Sequence, residues 1–312
     1  MQDADVVLAI GCKFSTWTVI DKPPLYPRRK GQTLIQVDID PEMLGKNVRI
    51  DLGIVGDARR VIEELVQALR GVRLAPDPRW LETLVTERGR YRALVDSIAD
   101  ERALGADEPP SEAAVAKELA GIIDRDAIVA FDGGQIMEWT HTFIPVIEPD
   151  RHLFNPGMGH LGFGQPFANA AKLAHPEREV VNVAGDGGFG CTVQELETAA
   201  RYGLRVVNVV CNDSAWGMYK PIEEQVFHNP RMGTRLGSVN FAEVGRGFGC
   251  YGERVTRLEE LPAAFARARA ADKPAVLDVP VRFAAHPMDR LWAQIVFAGV
   301  ELPVPRSDQK AA

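Results

Sequence analysis

Two aspartates that each follow a buried apolar run are the residues best placed to do chemistry in this sequence. The run 180–184 has the length of a buried strand, and Asp186 comes two residues after it. The stretch 204–211 is predicted as a second buried strand, which stops at Asn212-Asp213. A helical pattern separates the two runs, which predicts a strand–loop–helix–strand crossover in a parallel sheet. Both carboxylates then lie at carboxyl ends of strands, the edge where open α/β sheets bind ligands.

The glycines beside Asp186 indicate what such a site binds. Gly187 and Gly188 let the main chain approach an anion, and the helix that follows presents unpaired N–H groups to it. A carboxylate next to an anion is repelled unless a hard divalent cation lies between them. Mg²⁺ takes its oxygen ligands from one or two carboxylates, phosphate groups and water. We therefore expect Asp186, the Asp213 side chain and the Ala215 carbonyl to bind one Mg²⁺ together with a phosphate group.

The spacing of these residues resembles a known signature. Gly185-Asp186-Gly187, then 24 residues, then Asn212-Asp213 is similar to the motif of thiamine-diphosphate enzymes, with the acetolactate synthase-like (2-oxo acid decarboxylase/carboligase) family the closest resemblance. The closing residue is usually Asn in that family, and Asp213 keeps the oxygen ligand while adding a charge. On spacing alone, a nucleotide-binding loop of another α/β protein or a structural turn is the alternative, and the flanking matches favour the family.

The resemblance implies a set of cofactor contacts beyond the two aspartates. In a first diphosphate loop, main-chain and amide groups around Gln135 would meet the phosphates. The Gly159 carbonyl would accept a hydrogen bond from the aminopyrimidine, and the Leu161 side chain would hold the cofactor bent. The segment 216–218 would position substrate, and the glycines of 155–166 would allow close approach to the ligand. The full set of expected cofactor-binding residues is Gly134, Gln135, Ile136, Gly159, Leu161, Gly187, Gly188, Asp213, Trp216, Gly217 and Met218.

Composition limits the remaining functions. With 312 residues and 46% apolar content, the chain has room for two domains. A net charge of −7 argues against a nucleic-acid partner, which needs a basic surface. The four cysteines show neither metal nor disulfide spacing, which favours a reducing, cytoplasmic location. No apolar run approaches the ~18 residues of a membrane span, so we expect no membrane partner.

The predicted fold class is α/β, with parallel sheets and helices on both faces. The first block is similar to the second half of the family's Rossmann-like central domain, which in some relatives carries FAD or ADP; the sequence leaves that binding open. For Gly11 and Asp40 we favour a strand-end turn and a helix N-cap over a nucleotide site. The predicted parts are the half central domain at 1–70, a helical connector at 71–110, a pyrophosphate-binding domain at 111–285 and a tail at 286–312.

Three local structures are also expected from the pattern. The residues 185–188 are predicted as a loop that precedes a helix, and the helix after the 155–166 segment is predicted to begin at Phe167. The polar segment 223–228 is predicted as a loop able to close over the site. The apolar piece 291–300 is expected to form a helix against a partner subunit.

The resemblance implies thiamine diphosphate and Mg²⁺ as cofactors and a small 2-oxo acid as substrate. In the family the cofactor ylide adds to the substrate carbonyl, and the ring takes up electrons as CO₂ leaves. We favour a carboligase; a benzoylformate- or pyruvate-type decarboxylase and a catalytically silent cofactor-binding subunit are the alternatives. Nothing in the sequence matches the family's pyrimidine-binding domain, whose glutamate promotes ylide formation, so the catalytic residue is unassigned. We expect a homo- or hetero-oligomer with a chain supplying that domain, and no turnover by this chain alone.

Overall fold

A computed structural model describes residues 4–14, 30–73, 75, 77–100, 108–155, 158–225 and 233–289. The chain divides into two compact units, unit 1 reaching Val85 and unit 2 beginning at Thr86. Three sequence expectations lie outside the described residues: the glycine at 157, the histidine at 228 and the helix at 291–300.

Unit 1 contains a three-stranded parallel sheet followed by a helix. The strand order is β1-β2-β3, and Leu34 and Val37 on the middle strand are fully buried. The Asp40 side chain accepts a hydrogen bond from the Glu42 N–H and caps a 3₁₀ turn, which confirms its interpretation as an N-cap. The elements are β1 (Val6–Ile10), β2 (Thr33–Asp38), β3 (Leu52–Val55) and α1 (Ala58–Ala68).

A long helix, α2 (Pro78–Ala99), lies at the division between the units, and its residues Val95 and Ala99 belong to the core of unit 2. The remaining elements of unit 2 are α3 (Glu112–Ile122), β4 (Ile128–Asp132), α4 (Gln135–Phe143), β5 (His152–Leu153), α5 (Gly164–Ala174), β6 (Val180–Gly185), α6 (Asp186–Cys191), α7 (Glu195–Tyr202), β7 (Val207–Asn212), α8 (Lys220–Gln225), α9 (Phe241–Gly247), β8 (Tyr251–Arg254), α10 (Leu261–Ala270) and β9 (Ala275–Pro280).

The second sheet has six strands in the order β5-β4-β6-β7-β9-β8, and every neighbouring pair is parallel. Helices α3, α4 and α10 contribute to one core cluster with the strands, while α5, α7 and α9 contribute to others. Along β6, Val181 and Val183 belong to the first cluster, whereas Val180 and Ala184 belong to the others, as the alternation of a strand requires. The predicted fold class, parallel sheets covered on both faces, is confirmed.

Three expectations about local structure are wrong. The glycine-rich segment after Gly185 is helical from Asp186, not a loop. The segment predicted as a loop at 223–228 is helical at 223–225, within α8, and Pro221 is compatible with the first turn of that helix, where a missing N–H costs no hydrogen bond. Residues 226–228 lie outside the described part of the chain. Helix α5 begins at Gly164, earlier than predicted. Among the described helices, none has the length and apolar character needed to span a bilayer.

Candidate active site

The candidate site lies at the carboxyl ends of three neighbouring strands of unit 2. Strand β6 pairs with β4 on one side and β7 on the other, so the residues that follow these strands meet at one edge. Asp132 is the last residue of β4, Asp186 follows β6, and Asp213 follows β7. The register pairs Gly185 with Cys211, which sets Asp186 and Asp213 beside each other just past the strand ends. The crossover predicted from the sequence is therefore present.

The two carboxylates at the ends of β6 and β7 are both shielded from solvent. Asp186 is 4% exposed, and the Asp213 side chain is 5% exposed. Burial, followed by the negative charge of Asp213, raises the pKa of Asp186 to about 7. Both causes oppose ionisation of Asp186, and the second, the nearby carboxylate charge, is the one that would stabilise a cation here.

Backbone geometry shapes the loop that carries Asp213. Ser214 has a φ of 53°, a left-handed conformation uncommon for a residue with a side chain. Asp213 Oδ1 accepts a hydrogen bond from the Ala215 N–H at 3.2 Å. A short antiparallel bridge aligns Ala215 with Arg235, but the hydrogen bonds of that bridge are made by Ser214 and Trp216. The Ala215 carbonyl is therefore not used by this ladder.

A lysine forms an ion pair with the second carboxylate. Lys220 Nζ lies 2.6 Å from Asp213 Oδ2, with 26% of the lysine side chain exposed. The 3₁₀ turn at Gly217–Tyr219 and the start of α8 bring residue 220 back to the end of β7. One positive charge thus lies among the acidic groups of the site.

The donor set fits a hard divalent cation. Within the described residues, no group of three or more His, Cys, Asp or Glu side chains comes together as a metal site. Two carboxylates and a main-chain oxygen are thus what the protein can offer at this edge, and phosphate oxygens and water would complete an octahedral shell. Burial is the larger cause of the raised pKa of Asp186 and the charge of Asp213 the second, and a divalent cation would relieve that second cause.

The glycine after Asp186 lies directly under an aromatic ring. A Cβ on Gly187 would lie 2.5 Å from Trp216 Cζ3, much closer than carbon atoms approach without bonding. Gly217 lies close to the second carboxylate, because a Cβ there would be 3.3 Å from Asp213 Oδ2 and 3.4 Å from Gln135 Cβ. The loop after β7 therefore packs on the helix after β6.

At two further glycines, a side chain from another part of the site lies so close that a Cβ would not fit. A Cβ on Gly134 would lie 2.8 Å from Met218 Cβ, and one on Gly188 would lie 2.9 Å from Asp132 Oδ1. The residues predicted to bind the cofactor at 134, 187, 188 and 216–218 are thus brought together. Close packing by Trp216, Met218 and Asp132 is therefore a further physical reason for glycine at 187, 134 and 188, beside the predicted approach to a ligand.

The loop before α5 is tied to the end of β4 by Asp132. Its carboxylate accepts hydrogen bonds from the Gly162 N–H at 3.1 Å and the Gly164 N–H at 2.8 Å, and Asp132 is 1% exposed. The Gly162 carbonyl accepts a further bond from Thr192 Oγ1 at 2.7 Å. Leu161 lies next to these anchors in the chain, so its main chain is held in place by them.

A mainly apolar cavity of about 400 Å³ opens beside this loop. Leu161 and Trp216, both predicted to contact the cofactor or substrate, are among its lining residues, and Ile222 of α8 joins them. Glu223 also lines it, is 4% exposed, and accepts a hydrogen bond from Thr234 Oγ1. Such a volume suits a small organic ligand or one part of a larger one.

Comparison with known proteins agrees with this geometry. The family model for the C-terminal TPP binding domain of thiamine pyrophosphate enzymes matches residues 132–279, the part that contains the whole site. The model for the central domain of the same enzymes matches residues 1–65. The chain belongs to the thiamine-diphosphate-dependent enzymes. Its acetolactate synthase-like character, inferred above from the motif, is confirmed by the relatives that follow.

Three curated relatives show the extent of the similarity. The probable acetolactate synthase large subunit of Methanocaldococcus jannaschii is 29% identical over 89% of this chain and 46% of its own length. Pyruvate oxidase of Lactiplantibacillus plantarum is 29% identical over 90% and 45%. The acetolactate synthase large subunit of Haemophilus influenzae is 32% identical over 84% and 44%. This chain thus spans about half the length of the curated relatives it matches.

One solved structure supports the fold alone. A thiamine diphosphate-dependent 4-hydroxybenzoylformate decarboxylase of Rhodococcus jostii superposes with a TM-score of 0.71 at 22% sequence identity, covering 90% of this chain and 50% of the other.

The structure shows the surroundings of three residues predicted to contact the cofactor, Gln135, Ile136 and Gly159. Gln135 Nε2 donates to the Ala284 carbonyl at 2.9 Å and to Asp289 Oδ2 at 3.0 Å, so its main-chain N–H is the donor that remains for a phosphate. Ile136 is 1% exposed and packs towards Gly185, so it too offers its main chain. Gly159 is exposed, and a Cβ at this position would meet no described atom within 4 Å.

Sequence reasoning missed two charged residues that the structure brings to the candidate site. Asp132 was assigned no role, although its place at the end of β4, beside the strand that precedes Asp186, was a usable signal. Lys220 gave no signal, because its proximity to Asp213 depends on a turn that the sequence pattern does not specify.

Proposed function

We propose that this chain is the thiamine-diphosphate- and Mg²⁺-binding part of a 2-oxo acid carboligase of the acetolactate synthase type. The observation that carries the proposal is the convergence of two buried carboxylates, Asp186 and Asp213, at adjacent strand ends, with the pKa of Asp186 raised to about 7 by burial and by its neighbour. A buried acidic pair next to glycine-rich helix starts is what a cation shared with a diphosphate requires.

The residues divide between the cation and the diphosphate. Asp186, the Asp213 side chain and the Ala215 carbonyl would hold Mg²⁺. Helix α4 begins at Gln135 without a side-chain cap, and its first main-chain N–H groups have no partner within the helix. Those groups, with the main chain at Gly187 and Gly188, would bind the diphosphate, where the positive end of each helix dipole favours an anion.

When bound, thiamine diphosphate supplies the nucleophilic carbon and the electron sink for loss of CO₂ from a 2-oxo acid. The protein's own part is binding and orientation. Leu161, held through the bonds to Asp132, would support the cofactor rings from one side of the cavity. Trp216 and Met218, packed on Gly187 and Gly134, would fix the side facing substrate.

The relatives favour carboligation over simple decarboxylation. Two of them are named acetolactate synthase large subunits and one pyruvate oxidase, each near 30% identity over most of this chain. We further propose a cytoplasmic homo- or hetero-oligomer in which another chain supplies the pyrimidine-binding domain, as the resemblance to the family implies. The four parts predicted from the sequence, at 1–70, 71–110, 111–285 and 286–312, are also part of this proposal.

Calorimetry with Mg²⁺ and thiamine diphosphate tests the cation site on the purified chain. Asp186→Ala is expected to abolish metal-dependent cofactor binding while the far-UV circular dichroism spectrum stays unchanged. Asp272→Ala is the matched control, since that side chain is 97% exposed. Equal cofactor affinity in the two variants would contradict the assignment of Asp186.

A product assay separates the reaction classes. Pyruvate is supplied to this chain alone and to a mixture with a chain carrying the pyrimidine-binding domain. We expect no product from the chain alone and acetolactate from the mixture. Acetaldehyde as sole product would indicate a decarboxylase, and cofactor binding without either product would indicate a silent subunit. Steady turnover by the single chain would refute the need for a partner.

A further inference from the structure

Lys220 is a positively charged residue that contacts a proposed metal ligand. Its ammonium lies 2.6 Å from Asp213 Oδ2, and the carboxylate side chain is 5% exposed. The other oxygen, Oδ1, accepts a hydrogen bond from the Ala215 N–H. Both oxygens of Asp213 are thus engaged by donors from within its own loop and α8.

The surroundings hold the ammonium over the site. Lys220 Nζ is 5.5 Å from the centroid of the Phe283 ring, whose face attracts a cation. The lysine ammonium therefore contacts both the Asp213 carboxylate and the Phe283 ring, and 26% of its side chain is exposed.

An ammonium and a divalent cation cannot both use Asp213 at these distances without strong repulsion. Mg²⁺ binds oxygen at about 2.1 Å. A divalent cation that took Asp213 as a ligand would lie close to the ammonium, which is already 2.6 Å from Oδ2. Like charges so close together repel strongly in a site shielded from water.

We propose that Lys220 is a displaceable internal counter-cation, which holds the Asp213 carboxylate in the metal-free protein and leaves it when a divalent cation binds. The inference rests on the cation site proposed above and adds its regulation. Binding of the metal is then an exchange of one cation for another, so the metal affinity is lower than the two carboxylates alone would give.

Manganese titration followed by electron paramagnetic resonance of the free ion tests this on the full chain without cofactor. In Lys220→Gln, which removes the charge and shortens the side chain by one atom, we expect the Kd for Mn²⁺ to fall about three- to tenfold, the range of a partly buried ion pair. Lys220→Arg keeps the charge and is expected to stay within about twofold of the parent. The control Lys117→Gln removes an ammonium that pairs with Asp96 and Asp100, and is expected to change nothing.

A second measurement follows the lysine itself. Acetic anhydride labels accessible amines, and the modified peptides are quantified by mass spectrometry. Adding Mg²⁺ without cofactor is expected to increase labelling of Lys220 several-fold and to leave Lys117 unchanged. A lysine that remained on Asp213 would show no increase.

The outcomes separate this inference from the proposed function. If the parent binds Mn²⁺ and Lys220→Gln binds it equally or more weakly, displacement is wrong while the cation site stands. If Lys220→Gln instead weakens thiamine diphosphate binding at constant metal affinity, Lys220 is a phosphate ligand and the inference is overturned. If neither parent nor variant binds Mn²⁺, the cation site itself is wrong.

Discussion

Replacing Gly187 by alanine tests the close packing on which the site depends. The new methyl carbon would lie 2.5, 2.7 and 3.0 Å from three carbons of the Trp216 ring. Ordinary carbon contacts are about 3.5–4.0 Å, so the ring or helix α6 must move by about 1 Å. Overpacking of this kind costs about 1–3 kcal/mol.

The same helix provides a matched control. Gly190 also lies in α6, and a Cβ there meets no atom within 4 Å. Both substitutions gain the same helix propensity, up to about 1 kcal/mol. The difference between Gly187→Ala and Gly190→Ala therefore isolates the contact with Trp216. We expect Gly190→Ala to be neutral or stabilising and Gly187→Ala to have a free energy of unfolding lower by about 1–3 kcal/mol than the control.

Urea unfolding followed by far-UV circular dichroism measures this difference, and calorimetry measures thiamine diphosphate affinity in parallel. Because Trp216 lines the cavity, displacement of its ring is expected to weaken cofactor binding in Gly187→Ala alone. Combining Gly187→Ala with Trp216→Leu should restore most of the lost stability, since the smaller side chain leaves room for the methyl group. Identical urea midpoints for the two single alanine variants would refute the packing argument.

Three further predictions concern the buried acidic and basic groups of unit 2. Asp132→Ala leaves the N–H groups of Gly162 and Gly164 without a hydrogen-bond partner, which costs about 1–3 kcal/mol each. Thermal unfolding should therefore show a lower Tm, and limited proteolysis should show a new cut near the loop at 158–164. Asp132→Asn should lower the Tm by less. Burial and the charge of Asp289 raise the pKa of Glu138 to about 8. Its contribution to stability is present below about pH 4 and lost as pH rises through about 8, so Glu138→Gln should flatten the decline of Tm above pH 6. Burial lowers the pKa of His286 to about 4. The stability that comes from the neutral form of His286 is present above about pH 6.5 and lost as pH falls towards 4. His286→Asn should therefore reduce the fall of Tm between pH 6.5 and 4. Unchanged plots of Tm against pH in the two variants would contradict the roles given to Glu138 and His286.

The part of the fold that depends on periodicity was predictable. The mainly apolar stretches at 180–184 and 204–211 predicted the two central strands, because strands buried on both faces are mostly apolar. The asparagine in each stretch, Asn182 and Asn208, is buried and hydrogen-bonded to the other. Once those strands were parallel neighbours, the positions of Asp186 and Asp213 followed from sheet geometry. The register of β6 and β7 shows the same arrangement.

The parts that depend on turns and on contacts between loops were not predictable. Proline at 221 and several polar residues indicated a loop, yet proline in a first helical turn is as compatible with α8. The ion pair of Lys220 with Asp213 needs the 3₁₀ turn between them, and the bonds from Asp132 need the loop before α5 to fold back. None of these contacts has a periodic signal in the sequence.

Helix α6 shows why helix propensity led to a wrong prediction at a place where contacts with other parts of the chain determine the structure. Three of its six residues are glycine, each less favourable than alanine by about 1 kcal/mol, so sequence reasoning predicted a loop. The structure places Trp216 against Gly187 and Asp132 against Gly188, contacts that any side chain would prevent. Those contacts draw the loops after β4 and β7 onto the helix that begins with Asp186. Glycine, although a poor helix former, is therefore the residue type that lets the ends of three strands form one site. The helix is stabilised by the loops that pack on it.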